Sequence, residues 1–451
     1  MTTPKEICPP TVTSNALNCL GHPHLVCPWL NFYSMVSLAT TCTSLMRMLR
    51  GREVDLARLG RTSMDRLARY QRYWRVTGAC VRLSGSEPFL DIPRMQTLVL
   101  SRSTWITALP RLAPVDSPHR FLRQLYMDGC HRMTDIGCVT ACPSLQVVDL
   151  RSCRVLTQIA PIAECTELRE LILSGCRLLS DLTPLARCTN LEVLQASCCG
   201  FRAMDLDPLF GCSRLRRIDL SYNSNLNRVP DALAGCPRLS SIDLNQCIGL
   251  TNIAVLGSCS ALAVLSLGQC RGLLDLTALG YCTRLHTLSL TGISIATLNV
   301  LSPCTGLVKL NLDGCVQLID LSAVMAWPLL QKLSCSGCTG IPGLDPLATC
   351  TQLRHLNLWG CTVSVLRPLQ HCRRLQTLSL GRCRNIRYLD ALSGCSDLQV
   401  LDLQECVHIV ALGPLDHCMQ LTELDVRVCP CATKWVPLLQ TLEKRGCGIR
   451  Y

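Results

Sequence analysis

Leucines recur along this chain at fixed intervals, and cysteines recur in phase with them. From Leu168 the chain places leucine at positions 168, 171, 173, 179, 182 and 185, with Cys176 and Cys188 at fixed places in the same pattern. Thirteen steps of this kind span the 299 positions from Leu122 to Leu421, which is a mean period of 23 residues. A period of that length indicates a repeat architecture, in which each unit buries its apolar face only against the next.

Each repeat predicts one short strand and one return segment. In the Leu-x2-Leu-x-Leu stretch, Leu171 and Leu173 face the core while the residues between them face outward, which is the period-2 burial of a strand. Successive strands are expected to pair in parallel, roughly 4.8 Å apart. Six return segments carry proline at the same phase, where the first turn of a helix tolerates it, so we predict a short helical or 3₁₀ turn there.

This pattern resembles the leucine-rich repeat. The resemblance implies an α/β solenoid with a curved parallel sheet on its concave face and short helical or 3₁₀ turns on its convex face. We assign residues 81–430 to the solenoid and 431–451 to a C-terminal cap. We expect residues 21–80 to form a small helical N-terminal region and residues 1–20 to be a disordered N-terminus. Trp327 replaces a cysteine, so we expect a local bulge or a partly exposed edge around it.

The 34 cysteines of this 451-residue chain fall mainly into two columns. Twelve cysteines form the first column, which follows a predicted strand, as Cys176 does. Twelve form the second column, which follows a return segment, as Cys188 does. Residues of one column point the same way from stacked segments, so their Cβ vectors do not face one another as a disulfide requires. We interpret them as small buried hydrophobes. So many unpaired thiols indicate a reducing compartment, and we expect an intracellular protein, cytoplasmic or nuclear.

The formal net charge is +12, yet the outward positions of the predicted strands hold nine acidic and five basic residues. A surface of opposite sign to the whole protein favours a basic segment of a protein partner and argues against nucleic acid. The alternative is a solvated face that carries Asp and Ser only for solubility. The candidate partner-binding residues on this face are Tyr126, Asp128, Asp149, Glu170, Asp219, Asp243, Asp313, His355, Trp359, Asp402 and Asp425.

Sequence signals for chemistry are weak in this chain. No P-loop, no G-x-G-x-x-G after a strand and no H-E-x-x-H occurs, so we predict no catalytic residue and no cofactor. The cluster Cys19-x2-His22-x-His24-x2-Cys27 has zinc-ligand types, but its ligands are too tightly spaced and we predict no metal site. No stretch approaches the roughly 18 apolar residues of a membrane span, so we expect no membrane association.

Residues 24–60 resemble an F-box. Ser34-Met35-x2-Leu38-x2-Thr41-Cys42 keeps the spacing of that motif, although Gly21 and Pro23 interrupt the helix that should precede it. The resemblance implies a substrate receptor of an SCF (cullin-type) ubiquitin ligase in ubiquitin-dependent protein catabolism. The residues that would contact its adaptor subunit are Trp29, Leu30, Met35, Leu38 and Leu45. The alternative is a stand-alone scaffold or a regulatory subunit of the phosphatase or cytoskeletal type, with residues 21–80 as a cap only.

Overall fold

The computed structural model describes residues 54–55, 80–82, 96–102, 107–108 and 122–451. In these ranges 18 strands form one parallel sheet, in which every strand pairs with its neighbours in chain order. The strands are β1 Val54–Asp55, β2 Cys80–Arg82, β3 Thr97–Val99, β4 Gln124–Tyr126, β5 Val147–Asp149, β6 Glu170–Ile172, β7 Val193–Gln195, β8 Arg217–Asp219, β9 Ser241–Asp243, β10 Val264–Ser266, β11 Thr287–Ser289, β12 Lys309–Asn311, β13 Lys332–Ser334, β14 His355–Asn357, β15 Thr377–Ser379, β16 Val400–Asp402, β17 Glu423–Asp425 and β18 Gly448–Arg450.

Short 3₁₀ helices return the chain from one strand to the next, as the proline phase predicted. They are Gly137–Ala141, Ala160–Glu164, Thr183–Arg187, Ala203–Gly211, Asp231–Gly235, Ala254–Ser258, Thr277–Tyr281, Asn299–Leu301, Ser322–Ala326, Asp345–Thr349, Arg367–His371, Asp390–Gly394, Gly413–His417 and Pro430–Lys434. One α-helix, α1 Val436–Lys444, follows the last of them within the described part of the chain. The predicted α/β solenoid with a parallel sheet and 3₁₀ turns is therefore confirmed.

The register of the sheet keeps equivalent leucines in line. Leu171 of β6 pairs with Leu194 of β7, and both are fully buried. Leu168 and Leu173, on either side of that strand, are fully buried as well. The same layers repeat along the stack, because each repeat offers its aliphatic side chains to the one before and the one after.

Every described turn after a strand, from Arg102 to Val428, has a residue in the left-handed backbone region directly before the first-column position, with a φ between +56° and +82°. The turn after β7 has a second such residue, Gly200. Glycine fills six of these places, at 129, 175, 292, 314, 337 and 360, and other residues fill nine. Val428 is the least suited of them, because a β-branched side chain at positive φ is strained.

The cysteine columns are hydrogen-bonded to the backbone of the preceding repeat. The Cys176 thiol donates to the carbonyl of Leu150 at 3.1 Å, and the Cys188 thiol points at that of Ile162 at 3.6 Å. All 28 cysteines whose side chains are described are free thiols, and 26 of them are buried. The thiols therefore fill space between repeats and satisfy buried carbonyl groups, as we expected of small buried hydrophobes.

Asn223 shows what the first-column position does when it is more polar. Its Oδ1 accepts hydrogen bonds from the backbone N–H groups of Cys199, Gly200 and Phe201, at 2.7 to 3.2 Å. Its Nδ2 donates to the carbonyls of Ala196 and Leu220. A thiol supplies one of these bonds, which explains why the position tolerates both residue types.

The expectation of a partly exposed edge at Trp327 was wrong. The side chain is fully buried. Its Nε1–H donates to the carbonyl of Leu301 at 3.2 Å, which is the bond that a second-column thiol makes in other repeats. The repeat before it has only 22 residues, and its 3₁₀ helix, Asn299–Leu301, is three residues long instead of five, which leaves room for the indole ring.

Both ends of the sheet extend beyond the repeat pattern. Val54–Asp55, inside the segment that resembles an F-box, pair in parallel with β2, and β2 pairs with β3. At the other end, helix α1 buries Leu439 and Leu442 against the last repeat, and β18 adds a final parallel strand. Residues 1–53 lie outside the described residues. The expected disorder of 1–20, the close Cys/His cluster and all five adaptor-binding candidates lie there.

Candidate functional site on the outward strand face

The outward positions of consecutive strands lie side by side and form columns across the sheet. The central column contains Tyr126, Asp149, Asp219, Asp243, Asp402 and Asp425, each as the last residue of its strand. Several of these side chains are more buried than an outward position suggests: Ile172 is 6% exposed, and Asp149 also 6%. Neighbouring strands about 4.8 Å apart let adjacent side chains cover one another.

The central aspartates close the turn that follows their own strand. An Oδ1 atom of Asp219 accepts the N–H of Ser221 at 2.9 Å, and Asp243 and Asp402 accept the N–H two residues ahead at the same distance. Asn311 and Asn357 do so in the two repeats where asparagine stands there. Asp or Asn at this place is therefore an Asx turn, which the fold uses whether or not the residue carries a charge.

Burial and neighbouring charges shift the pKa values of these carboxyl groups in different directions. Burial raises the pKa of Asp149, although the N–H group and the charge of Arg151 oppose the shift. Burial also raises the pKa of Asp243, and the neighbouring Asp219 adds to the shift. Burial opposes ionisation of Asp425 too, but hydrogen bonds and charge from Arg427, 2.7 Å away, hold its pKa below the usual range.

Three acidic candidates lie beside the central column: Asp128 and Asp313 stand two residues after a central residue, and Glu170 stands two residues before one. Asp128 accepts a hydrogen bond from the hydroxyl of Ser101. Asp313 accepts the hydroxyl of Ser334 at 2.6 Å and the N–H of Ser336 at 2.7 Å. Glu170 is half-buried and forms no ion pair among the described residues.

The two candidates of β14 and its turn, His355 and Trp359, stand at opposite ends of the strand. The Trp359 ring carries the guanidinium of Arg382 at 4.8 Å from its centroid, and Arg382 is itself paired with Glu405 at 3.0 Å. The indole also lies over Gly381, where a methyl group would come within 2.6 Å of it. His355 is exposed, and Nδ1 lies 3.1 Å from the hydroxyl of Thr377.

The eleven candidate residues do not converge on one point. They extend from β4 to the end of β17, which is about 60 Å at the strand spacing. The sheet does place Tyr126 directly opposite Asp149, and it places two pairs of aspartates in direct register: Asp219 opposite Asp243, and Asp402 opposite Asp425. Arg427 forms an ion pair with Asp425 of the second pair, whereas neither aspartate of the first pair has an ion-pair partner among the described residues.

A second feature of the sheet, which the sequence analysis did not predict, lies at the start of five consecutive strands. The five segments that lead into β11–β15 carry six Lys or Arg and two His, and no acidic residue. This excess of cations is visible in the sequence, in the residues between each second-column position and the strand that follows it. Within the described ranges no helix is long and apolar enough to cross a membrane. In the same ranges no three His, Cys, Asp or Glu side chains are close enough to hold a metal ion.

Known proteins support the fold. A family profile described as leucine rich repeat matches residues 189–247. The structure is similar to an internalin from Listeria monocytogenes, with 20% identity, 65% of this chain and 83% of that chain covered, and a TM-score of 0.58. It is also similar to a leucine-rich-repeat protein of Leptospira interrogans, with 15% identity, coverages of 82% and 99%, and a TM-score of 0.52.

A third similar structure is TLR13 in complex with ssRNA13, with 17% identity, 78% of this chain and 57% of that chain covered, and a TM-score of 0.51. No curated protein sequence matches the chain. Identities this low bear on the fold alone, and they agree with the parallel sheet, the 3₁₀ returns and the 23-residue period. The chain therefore has the leucine-rich-repeat fold.

Proposed function

We propose that this protein is a non-catalytic scaffold that holds a protein partner on its outward strand face, where Asp219 and Asp243 contact a basic segment of the partner. The observation that carries the proposal is the direct pairing of these two carboxylates on adjacent strands. Like charges directly opposite one another destabilise a sheet. A cation supplied by a partner would remove that cost, and its approach would be favoured by the local field.

A basic peptide tests this proposal. The full chain would be titrated with a fluorescent arginine-rich decapeptide at low salt, alongside the double variant Asp219→Asn/Asp243→Asn. Asparagine preserves the Asx turn, as Asn311 does, so the change removes charge and leaves the fold. We expect binding to weaken at least fivefold.

The matched control is Asp181→Asn/Asp275→Asn. These two residues also close Asx turns, with the N–H groups of Thr183 and Thr277 at 2.8 Å, but they lie in the return segments. The control loses the same two charges and should bind as the unmodified protein does. Equal binding by all three proteins at low salt would leave the solvated-face alternative standing.

We also propose, from the sequence resemblance of residues 24–60, that the scaffold serves as a substrate receptor of an SCF-type ubiquitin ligase. The full chain would be tested for binding to the adaptor subunit, with Leu30→Asp and Leu38→Asp as variants. Adaptor binding that both changes abolish supports the receptor. Absence of binding, or binding indifferent to both changes, favours a stand-alone scaffold or regulatory subunit.

An intracellular location is part of the same proposal, and the free thiols support it. Thiol titration without reductant should find few reactive groups in the native protein and nearly all 34 after denaturation. A large shortfall after denaturation would indicate disulfides and an oxidising compartment.

A further inference from the structure

Six cationic side chains gather along one edge of the sheet. They belong to the five segments that lead from a second-column residue into β11–β15, namely residues 283–287, 305–309, 328–332, 351–355 and 373–377. We call this set the basic edge. Its Lys and Arg residues are Arg284, Lys309, Lys332, Arg354, Arg373 and Arg374.

The basic edge has no acidic counterpart. The 25 positions of its five segments contain no Asp or Glu. None of its Lys or Arg residues forms an ion pair with another residue of the described chain. All of them are exposed except Arg354, which is half-buried.

Earlier repeats show how the chain treats the same edge elsewhere. There Glu192 stands between Arg169 and Arg216, at 3.2 Å from the first and 3.8 Å from the second. The corresponding segments after the basic edge contain Asp397 and Glu423. The segments 213–217, 237–241 and 260–264 also lack Asp and Glu, but the last of them carries no cation. Among the described repeats, only the basic edge has five consecutive segments that each carry a Lys or Arg and no acidic residue.

The sheet register concentrates this charge. Lys309 of β12 lies directly opposite Lys332 of β13, and Lys332 lies opposite His355 of β14. Direct cross-strand neighbours of like charge destabilise a sheet. The adjoining central column is uncharged over these strands, with Ser289, Asn311 and Ser334. The carboxylate of Asp313, beyond that column, accepts hydrogen bonds from Ser334 and Ser336 and forms no ion pair with the basic edge.

We propose that the basic edge binds an acidic, extended segment of a protein partner, with carboxylates over Lys309, Lys332 and Arg354. This goes beyond the function proposed above, because it concerns other residues and a ligand segment of the opposite charge. The five strands span about 19 Å at their normal spacing, which an extended peptide of about six residues covers. Alternate side chains of such a peptide would bring carboxylates to the edge about 7 Å apart.

A single-stranded nucleic acid is the competing ligand, and the surroundings favour the peptide. Binding sites for single strands combine a basic groove with aromatic side chains on which bases stack. The five segments contain no Phe, Tyr or Trp. Trp359, in the turn after β14, has its ring covered by Arg382. Asp243 and Asp402, on the outward face at either side of these repeats, would repel a longer polyanion.

The test uses the full chain and three fluorescent probes of equal length: a glutamate-rich decapeptide, its glutamine counterpart and a decanucleotide of uridine. Binding would be followed by anisotropy at two salt concentrations. The edge variant is Lys309→Gln/Lys332→Gln/Arg354→Gln. Its matched control is Arg177→Gln/Arg367→Gln/Arg384→Gln, which removes three exposed cations that lie outside the five segments.

We expect the acidic peptide to bind in preference to its glutamine counterpart, with binding weakened at least tenfold by the edge variant and less than threefold by the control. Equal losses in the two variants would mean attraction by net charge alone and would overturn the proposal. No binding of the acidic peptide, or tighter edge-dependent binding of the uridine probe, would overturn it as well. Binding of the basic peptide through Asp219 and Asp243 is measured separately, so the two proposals can fail independently.

Discussion

Alkaline pH should unfold this protein cooperatively, because its core is built from thiols that cannot ionise in place. Burial raises the pKa of nineteen of them from the ordinary value of 9.0 to about 11 or 12. A group whose pKa is higher in the folded state contributes stability below its unfolded pKa and loses it as the pH rises toward the folded pKa. The loss should therefore begin near pH 9.

The magnitude follows from proton linkage. At pH 10 an unfolded thiol of pKa 9.0 is about nine-tenths ionised, while a buried one is at most about one-tenth ionised, which costs about 1.4 kcal/mol per thiol. Nineteen thiols then cost about 26 kcal/mol, against about 8 kcal/mol at pH 9. At about 0.05–0.15 kcal/mol per residue, some 330 residues of solenoid have a stability of about 16–50 kcal/mol. We therefore expect unfolding between about pH 9.5 and 11.

The assay combines far-ultraviolet circular dichroism with thiolate absorbance at about 240 nm, in the presence of a non-thiol reductant. The two signals should change together, because a buried thiol ionises only when the repeat around it opens. Thiolate absorbance that rises near pH 9 while the dichroism is retained would show that the thiols are accessible to water. Retained dichroism above pH 11 would refute the linkage argument.

A variant with fewer titrating groups separates thiols from lysines and tyrosines, which also ionise in this range. In Cys165→Ala/Cys188→Ala/Cys212→Ala, each lost side chain should lower the free energy of unfolding at pH 7 by about 1–2 kcal/mol. Between pH 8 and pH 10, however, the variant should lose about 4 kcal/mol less than the unmodified protein, because three protons no longer dissociate. An unchanged pH slope would mean that thiol burial does not cause the alkaline transition.

Five further substitutions test individual positions, each by urea or thermal unfolding. Val428→Gly should stabilise the protein by about 1 kcal/mol by relieving a side chain at positive φ, whereas Gly337→Ala should destabilise it by about 1 kcal/mol; opposite signs would contradict the left-handed turn. Asn223→Ala should lower the free energy of unfolding by about 2–4 kcal/mol, because several buried backbone groups lose their hydrogen-bond partner. Cys176→Ala should lower it by about 1–2 kcal/mol, because one carbonyl loses its partner. Equal losses in the two variants would contradict this reasoning. Trp327→Ala should cost about 3–5 kcal/mol, and a cost under 1 kcal/mol would mean that the indole is not buried.

The repeat itself could be read from the sequence because its signal is local and is repeated many times. Leu171, Leu173 and Cys176 occupy positions whose burial depends only on the unit and its two neighbours. Trp327 could not be placed in this way. Whether a large ring fits depends on the length of the preceding repeat, and only the packed structure combines the two.

The candidate site could be predicted only in part from the sequence. The outward position of Asp219 follows from strand alternation, but its Asx turn and its direct register with Asp243 follow from the turn geometry and from pairing between repeats. The basic edge was present in the residue types, yet its meaning depends on Lys309 and Lys332 being neighbours. Those residues are 23 positions apart in the chain, and the sheet makes them adjacent.

The sequence by itself determined the repeat unit, its period, the buried leucine and cysteine columns and the parallel sheet. It could do so because every repeat solves the same packing problem against an almost identical neighbour. The tertiary structure decided which charges meet, which carboxylates are used by turns, and which cations lack a partner. These properties depend on stacking register across repeats, because electrostatic interactions act between side chains that are close in space, whatever their separation along the chain.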